Sequence, residues 1–135
     1  MALVKWDDTL SVHIDEIDDE HRRLIDLLNE IDQAMRQQRG REIVDQIIDS
    51  LIGYAKTHFL TEERYFERYG FPDAEEHKRQ HAFFIVKVYG FKREFDNGKL
   101  TLSIEILHFL TDWLYRHIKG SDQHYAEFFR EKGIA

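Results

Sequence analysis

Apolar residues recur at intervals of three and four along almost the whole chain, and the pattern is interrupted at Arg39-Gly40, Gly70-Phe71-Pro72 and Asn97-Gly98. A period near 3.6 marks helices with one buried face, and a glycine or proline at each interruption separates one helix from the next. The spacing predicts helices over about 18–38, 41–69, 73–95 and 101–119, with an N-terminal arm over 1–17 and a short C-terminal helix from 122. Connections this short force each helix to run antiparallel to its predecessor. The expected fold is therefore all-α, an up-down-up-down four-helix bundle forming a single domain over 1–135.

The apolar stripes contain residues that are costly to bury. His21 opens the first, ahead of Leu24, Ile25, Leu28, Ile31 and Met35. In the second, Val44, Ile47, Leu51 and Tyr54 lead into His58 and Glu62, with Tyr65 and Tyr69 beyond. His77 and His81 start the third, before Phe84, Val88, Phe91 and Phe95, and the fourth runs from Leu102 through Ile106, Leu110 and Trp113 to His117. Residues four apart on a helix stand one above the other, about 6 Å apart along the axis, so His58 with Glu62 and His77 with His81 can each converge on one point. In antiparallel order the odd helices contribute histidines from their starts and the even ones from their latter halves, which brings all five to one end of the bundle.

A single histidine on an apolar face is usually a hydrogen-bonded core residue. Five at one depth, with carboxylates, would cost several kcal/mol per charged group unless a cation compensates. Metal ligation is the expectation for His21, His58, Glu62, His77, His81 and His117. Asp122 joins them less directly: it lies five residues after His117, about 140° around a regular helix, so a helix ending at Gly120 is expected to redirect the chain and turn Asp122 inward. The same break moves His124 away, while His13 and His108 fall on the surface side of the pattern. Gly53 and Gly90, inside helices, suggest a close approach of neighbouring helices.

Composition narrows the chemistry. With no cysteine, any metal is held by imidazole and carboxylate, and thiolate zinc sites and iron–sulfur clusters are excluded. A formal charge of −7 without a basic cluster argues against nucleic acid. No apolar run approaches the ~18 residues of a membrane span and the N-terminus lacks a signal-peptide pattern, so a cytoplasmic protein without membrane insertion is expected, as a monomer. Seven candidate ligands exceed the roughly six that one ion accepts; two ions bridged by the carboxylates and by an oxide or hydroxide accommodate them and leave one position open.

The segments "VKWDD", "IDDEH", "HFLTEE", "HKRQH" and "WLYRHIKGSD" resemble the hemerythrins, specifically the single-domain bacteriohemerythrins, over nearly the whole chain. The resemblance implies reversible dioxygen binding, without enzymatic turnover, at a non-haem di-iron centre inside a four-helix bundle. It implies that His77, His81 and His117 hold the coordinatively filled iron, that His21 and His58 hold the iron with the vacancy, and that Glu62 and Asp122 bridge. Leu24, Leu28, Phe59, Trp113 and Leu114 are the candidates for an apolar wall around the bound gas. Storage, transport or delivery of oxygen to an oxygen-consuming enzyme would follow. The rival readings are an O2-activating or ferritin-like di-iron oxidase, for which the spacing Glu105 to His108 supplies one Glu-x-x-His pair, and an oxygen- or iron-sensing module.

Overall fold

The computed structural model describes residues 5–38, 41–97 and 102–134, with the side chains of Arg41, Phe95 and residues 102–106 outside that description. A 3₁₀ turn at Asp8–Leu10 precedes α1 (Asp15–Arg36), α2 (Arg41–Tyr69), α3 (Ala74–Asp96), α4 (Leu102–Arg116) and α5 (Asp122–Glu131). The first four form the bundle, with α1 packed on α2 and α4, and α3 on α2 and α4. Among the described residues there is no strand, and no helix is long and apolar enough to cross a membrane. The expected breaks at Arg39-Gly40 and Gly98, and the inward positions of Phe95, Leu102 and Ile106, lie outside the described residues.

Local chemistry sets the ends of the helices. Gly70 stops α2 with a φ of 68°, and the Phe71 amide donates back to the Phe66 carbonyl at 3.1 Å. This is the Schellman closure, with the accompanying contact between Phe66 and Phe71 at 5.0 Å between ring centres. At the other end of the site, α1 starts at Asp15, three residues earlier than the periodicity suggested, because Asp15, Glu16 and Asp18 fill a first turn that favours negative charge.

Asp18 also ties down the arm. Its buried carboxylate accepts from the Ser11 hydroxyl at 2.6 Å and the Val12 amide at 2.8 Å, which lays Leu10, Val12 and Ile14 into the core. Asp18→Ala removes both acceptors and leaves a buried amide unpaired, a loss of about 3 kcal/mol. A fall in melting temperature of roughly 10 °C is expected in a thermal melt followed by circular dichroism; an unchanged melt would show that the arm is not held there.

The core has two parts with the polar centre between them. One contains Leu24, Leu28, Ile31, Ile48, Leu51, Phe84, Val88 and Leu110; the other contains Ile17, Phe66, Phe71, Tyr125 and Phe129. On α2 the buried face is rotated from the expected stripe: Val44, Ile48, Leu51, Ala55, Phe59 and Phe66 are buried, whereas Ile47, Tyr54, Tyr65 and Tyr69 are half-buried at its edge. Over 29 residues a strict repeat drifts around a helix of 3.6 residues per turn, so the long helix exchanges one edge of its stripe for the other. A Cβ added at Gly53 or Gly90 would meet nothing within 4 Å, so close helix approach is not the reason for either glycine.

Candidate metal centre

The structure brings the seven expected side chains together. His21 comes from the second turn of α1, His58 and Glu62 from α2, His77 and His81 from the first turns of α3, His117 from the end of α4, and Asp122 from the start of α5. All are buried, with Glu62 and Asp122 at 0% exposure. His13, His108 and His124 stay outside and exposed, and His124 bonds Asp73 through Nε2 at 2.6 Å.

Asp122 reaches the centre by a route that the sequence reading did not anticipate. The helix does not end at Gly120; residues His117–Ser121 form one π turn that runs directly into α5, and the Asp122 amide donates to the His117 carbonyl. The wider i→i+5 ring places residues five apart on the same side, which cancels the 140° offset of a regular helix. Gly120 has no left-handed backbone and nothing within 4 Å of its would-be Cβ, so it plays no part in turning the chain.

Two donor sets result, each with its ligand atoms within 4.8 Å of one another: Glu62, His77, His81 and His117 in one, and His21, His58, Glu62 and Asp122 in the other. Glu62 belongs to both. The closest approaches are His77 Nε2 to Asp122 Oδ1 at 2.9 Å, His81 Nε2 to Glu62 Oε1 at 3.0 Å, His21 Nε2 to Asp122 Oδ2 at 3.1 Å, and His117 Nε2 to Asp122 Oδ1 at 3.2 Å. Asp122 therefore touches histidines of both sets.

These distances suit hydrogen bonds, yet the angles do not. Among the described residues, the buried side-chain atoms without a hydrogen-bond partner are His21 Nδ1 and Nε2, His77 Nε2, His81 Nε2, His117 Nε2, Glu62 Oε1, both Asp122 oxygens and the Thr111 hydroxyl. Buried polar atoms are rarely left unpaired, and here nearly all of those that are converge on one point. Ligand atoms about 2.1 Å from one ion and at right angles to each other lie about 3.0 Å apart, which is the spacing found. The donor set fits hard or borderline cations that accept nitrogen and oxygen.

A second ring of residues orients the first, and the sequence reading missed it. His58 donates from Nδ1 to Glu20 at 2.7 Å, and Glu20 is itself held by the Thr61 hydroxyl at 3.0 Å; His81 donates from Nδ1 to Glu63 at 2.8 Å. A carboxylate on Nδ1 fixes the tautomer and leaves the Nε2 lone pair facing inward. The hydroxyl of Tyr125, a residue with no exposure, donates to Glu62 Oε2. Glu20 and Glu63 each adjoin a candidate ligand, inside "DEH" and "EE", and that adjacency was the available signal. Tyr125 looked like one more core aromatic.

Charge is settled within the cluster. Burial alone would depress the His21 imidazolium, but its contacts with Asp122 and Glu62 prevail and raise it to about 9. Burial is outweighed again at His81, which Glu62 and Glu63 raise to about 9. Glu62, pushed up by burial and by Asp122, is nevertheless held below the ordinary carboxylate range by His58, His21 and His81. Asp122, also pushed up by burial, is held well below that range by His117, His21 and His77. Burial, with the two carboxylates beside it, drives the Tyr125 phenol well above its ordinary value, so it is a neutral donor.

Two aromatic rings pack directly on histidines of the centre. The Phe59 ring stacks on His81 at 3.9 Å and 8°, and the Trp113 ring on His117 at 4.4 Å and 13°. Both thus lie against the set with three histidines, and Trp113 is only half-buried. Leu24, Leu28 and Leu114 are buried, and the last two line a narrow cavity of about 10 Å³ with Leu10, Ile25 and Ile118.

Comparison with known proteins agrees with this arrangement. The Hemerythrin HHE cation binding domain profile matches residues 12–129. A bacteriohemerythrin of Stenotrophomonas maltophilia (strain R551-3) is 39% identical over 127 residues, covering 94% of this chain and 82% of the relative. One from Pseudomonas aeruginosa (strain LESB58) is 31% identical over 132 residues, covering 96% and 84% respectively. A solved wild-type hemerythrin superposes with a TM-score of 0.84 at 26% identity, covering 93% of this chain and 97% of that one. The chain belongs to the hemerythrin family of HHE cation binding domains.

Proposed function

We propose that the protein binds dioxygen reversibly at a non-haem di-iron centre, and that it stores oxygen or delivers it to an oxygen-consuming enzyme. The observation that carries this reading is the convergence of five imidazoles and two carboxylates, buried and largely without other partners, in two sets that share Glu62. His77, His81 and His117 would hold one iron and His21 and His58 the other, with Glu62 and Asp122 bridging. When bound, a pair of ferrous ions supplies the electrons and the open coordination position that dioxygen binding needs. The chain supplies the rest. Glu20 and Glu63 hold the His58 and His81 rings in place, and Tyr125 fixes one Glu62 oxygen. Phe59, Leu24, Leu28, Leu114 and Trp113 would limit the access of water and protons, which favours release of the gas over its reduction.

Imidazole outnumbers carboxylate here, which leaves the centre electron-poor beside the carboxylate-rich sites of di-iron oxidases. The Glu105 to His108 spacing that would suit an oxidase does not add to the centre, because His108 is exposed. The test is spectroscopic. Anaerobic ferrous protein is expected to be colourless, to gain an oxo-bridged ferric charge-transfer spectrum in air, and to lose it again under argon. Colour that persists under argon, with a substrate consumed, would make the protein an oxidase.

Metal uptake has a measurable proton cost. In the metal-free protein His21 and His81 remain charged up to about 9, whereas ligands must be neutral. Loading at pH 7.5 is expected to release about two protons per chain, read with a pH indicator in weak buffer, and the release should shrink as pH rises through 9. The stability of the metal-free fold falls over the same pH range. A raised folded-state value means that these charges stabilise the metal-free fold fully below the unfolded value of 6.5 and cease to do so as pH rises through about 9. No proton release at pH 7.5 would contradict charged His21 and His81.

A further inference from the structure

On the outer face of α2, beside the start of α1, lies a cavity of about 190 Å³ lined by Glu16, Thr61, Arg64, Tyr65 and Arg68. Arg64 and Arg68 are one helical turn apart and border the same cavity. Arg22, Arg23, Arg36, Arg79 and Arg116 each pair with a carboxylate. Arg64 and Arg68, like Arg93 and Arg130, form no ion pair among the described residues, but Arg64 and Arg68 share one cavity. Arg64 reaches the Leu60 carbonyl at 3.4 Å and the Thr61 hydroxyl at 3.5 Å, and the Arg68 guanidinium lies 5.4 Å over the Tyr69 ring. Two unpaired guanidinium groups in a chain of net charge −7 are poised for an oxyanion.

One feature of the cavity narrows the class. Glu16 lines it too, close enough that, together with burial, it holds the Tyr65 phenol above its ordinary value. A carboxylate repels a bare dianion but accepts a hydrogen bond from an acidic hydroxyl. A hydrogen phosphate group carries both anionic oxygens for the arginines and a P–OH for Glu16, whereas sulfate at neutral pH has no proton to offer.

We propose that this cavity binds the hydrogen phosphate ion, with Arg64 and Arg68 on its anionic oxygens and Glu16 accepting its hydroxyl. The site lies one side chain from the metal centre, because its inner wall, Thr61, also donates to the Glu20 carboxylate that holds His58. It does not depend on the dioxygen reading, and its failure would leave that reading untouched.

Isothermal titration calorimetry on the full chain, metal-free and iron-loaded, with inorganic phosphate, glycerol phosphate and sulfate at matched ionic strength, tests the proposal. Phosphate is expected to bind at least about tenfold more tightly than sulfate, in both forms of the protein. The R64Q/R68Q double variant should weaken it by at least about tenfold, and E16Q should erase the preference over sulfate. All three side chains are on the surface, so circular dichroism should show an intact fold. Glycerol phosphate, whose phosphate has no P–OH near neutral pH, is expected to bind as weakly as sulfate, and a monoester that binds as tightly as the free ion would overturn the role given to Glu16. No phosphate binding by folded wild-type protein, equal affinity for sulfate, or binding that survives R64Q/R68Q would overturn the assignment.

Discussion

Deleting Gly120 is expected to abolish iron binding at the proposed centre, and Gly120→Ala to leave it intact. Removing one residue from the five-residue turn His117–Ser121 restores ordinary helical register, and every residue after it rotates by about 100°. Asp122 then leaves the centre, and Tyr125, Ala126 and Phe129, all essentially unexposed, are driven off the core they fill. Either the chain keeps the π turn's packing at the expense of α5, or it keeps helix and loses the ligand; in both cases the loss should exceed about 5 kcal/mol, near the upper range for single changes. The substitution behaves oppositely because its added methyl meets nothing within 4 Å and alanine suits a helix better than glycine by up to about 1 kcal/mol. Iron content per chain and thermal melts of both variants are the measurements, and a deletion variant with full iron would refute the role assigned to the π turn.

Glu62→Ala should reduce the iron content from the two per chain of the proposed centre to below about one. Glu62 alone among the seven appears in both donor sets, and its Oε1 faces His58 at 3.4 Å and His81 at 3.0 Å while Oε2 faces His21 at 3.7 Å. Without it neither set keeps its anion-rich edge, and the Tyr125 hydroxyl loses its acceptor. Glu63→Ala is the contrast. It removes one hydrogen bond from His81 and no ligand, so affinity should fall by about 10–100-fold while the stoichiometry is kept. Iron analysis of folded, dialysed protein separates the two, and two tightly held irons in Glu62→Ala would contradict a shared bridge.

Much of the bundle and its polar end was legible in the residues because helical spacing is a rigid ruler. His77 and His81, or His58 and Glu62, four apart can only stack on one face, and Gly70-Phe71-Pro72 can only end a helix. What escaped depends on tertiary context. The π turn between His117 and Ser121 is an uncommon register that brings Asp122 to the histidines and leaves Phe129 in the core, and no local residue announces it. Gly120 offered a false explanation, since glycine is where helices commonly stop. The edge of the α2 stripe was misassigned for a related reason: Ile47 and Ile48 are adjacent and equally apolar, so only packing decides which goes in. Glu20 and Glu63 were overlooked because each adjoins a candidate ligand in sequence, His21 and Glu62, but serves a histidine on another helix, which spacing along one helix does not reveal.

Diffraction at the iron absorption edge from crystals of the loaded protein tests the seven-ligand centre most directly. Two anomalous peaks are expected between the helices, one bounded by Nε2 of His77, His81 and His117 and the other by Nε2 of His21 and His58, with Glu62 and Asp122 in contact with both. A single peak, or two peaks with Asp122 or His21 turned out to solvent, would contradict it.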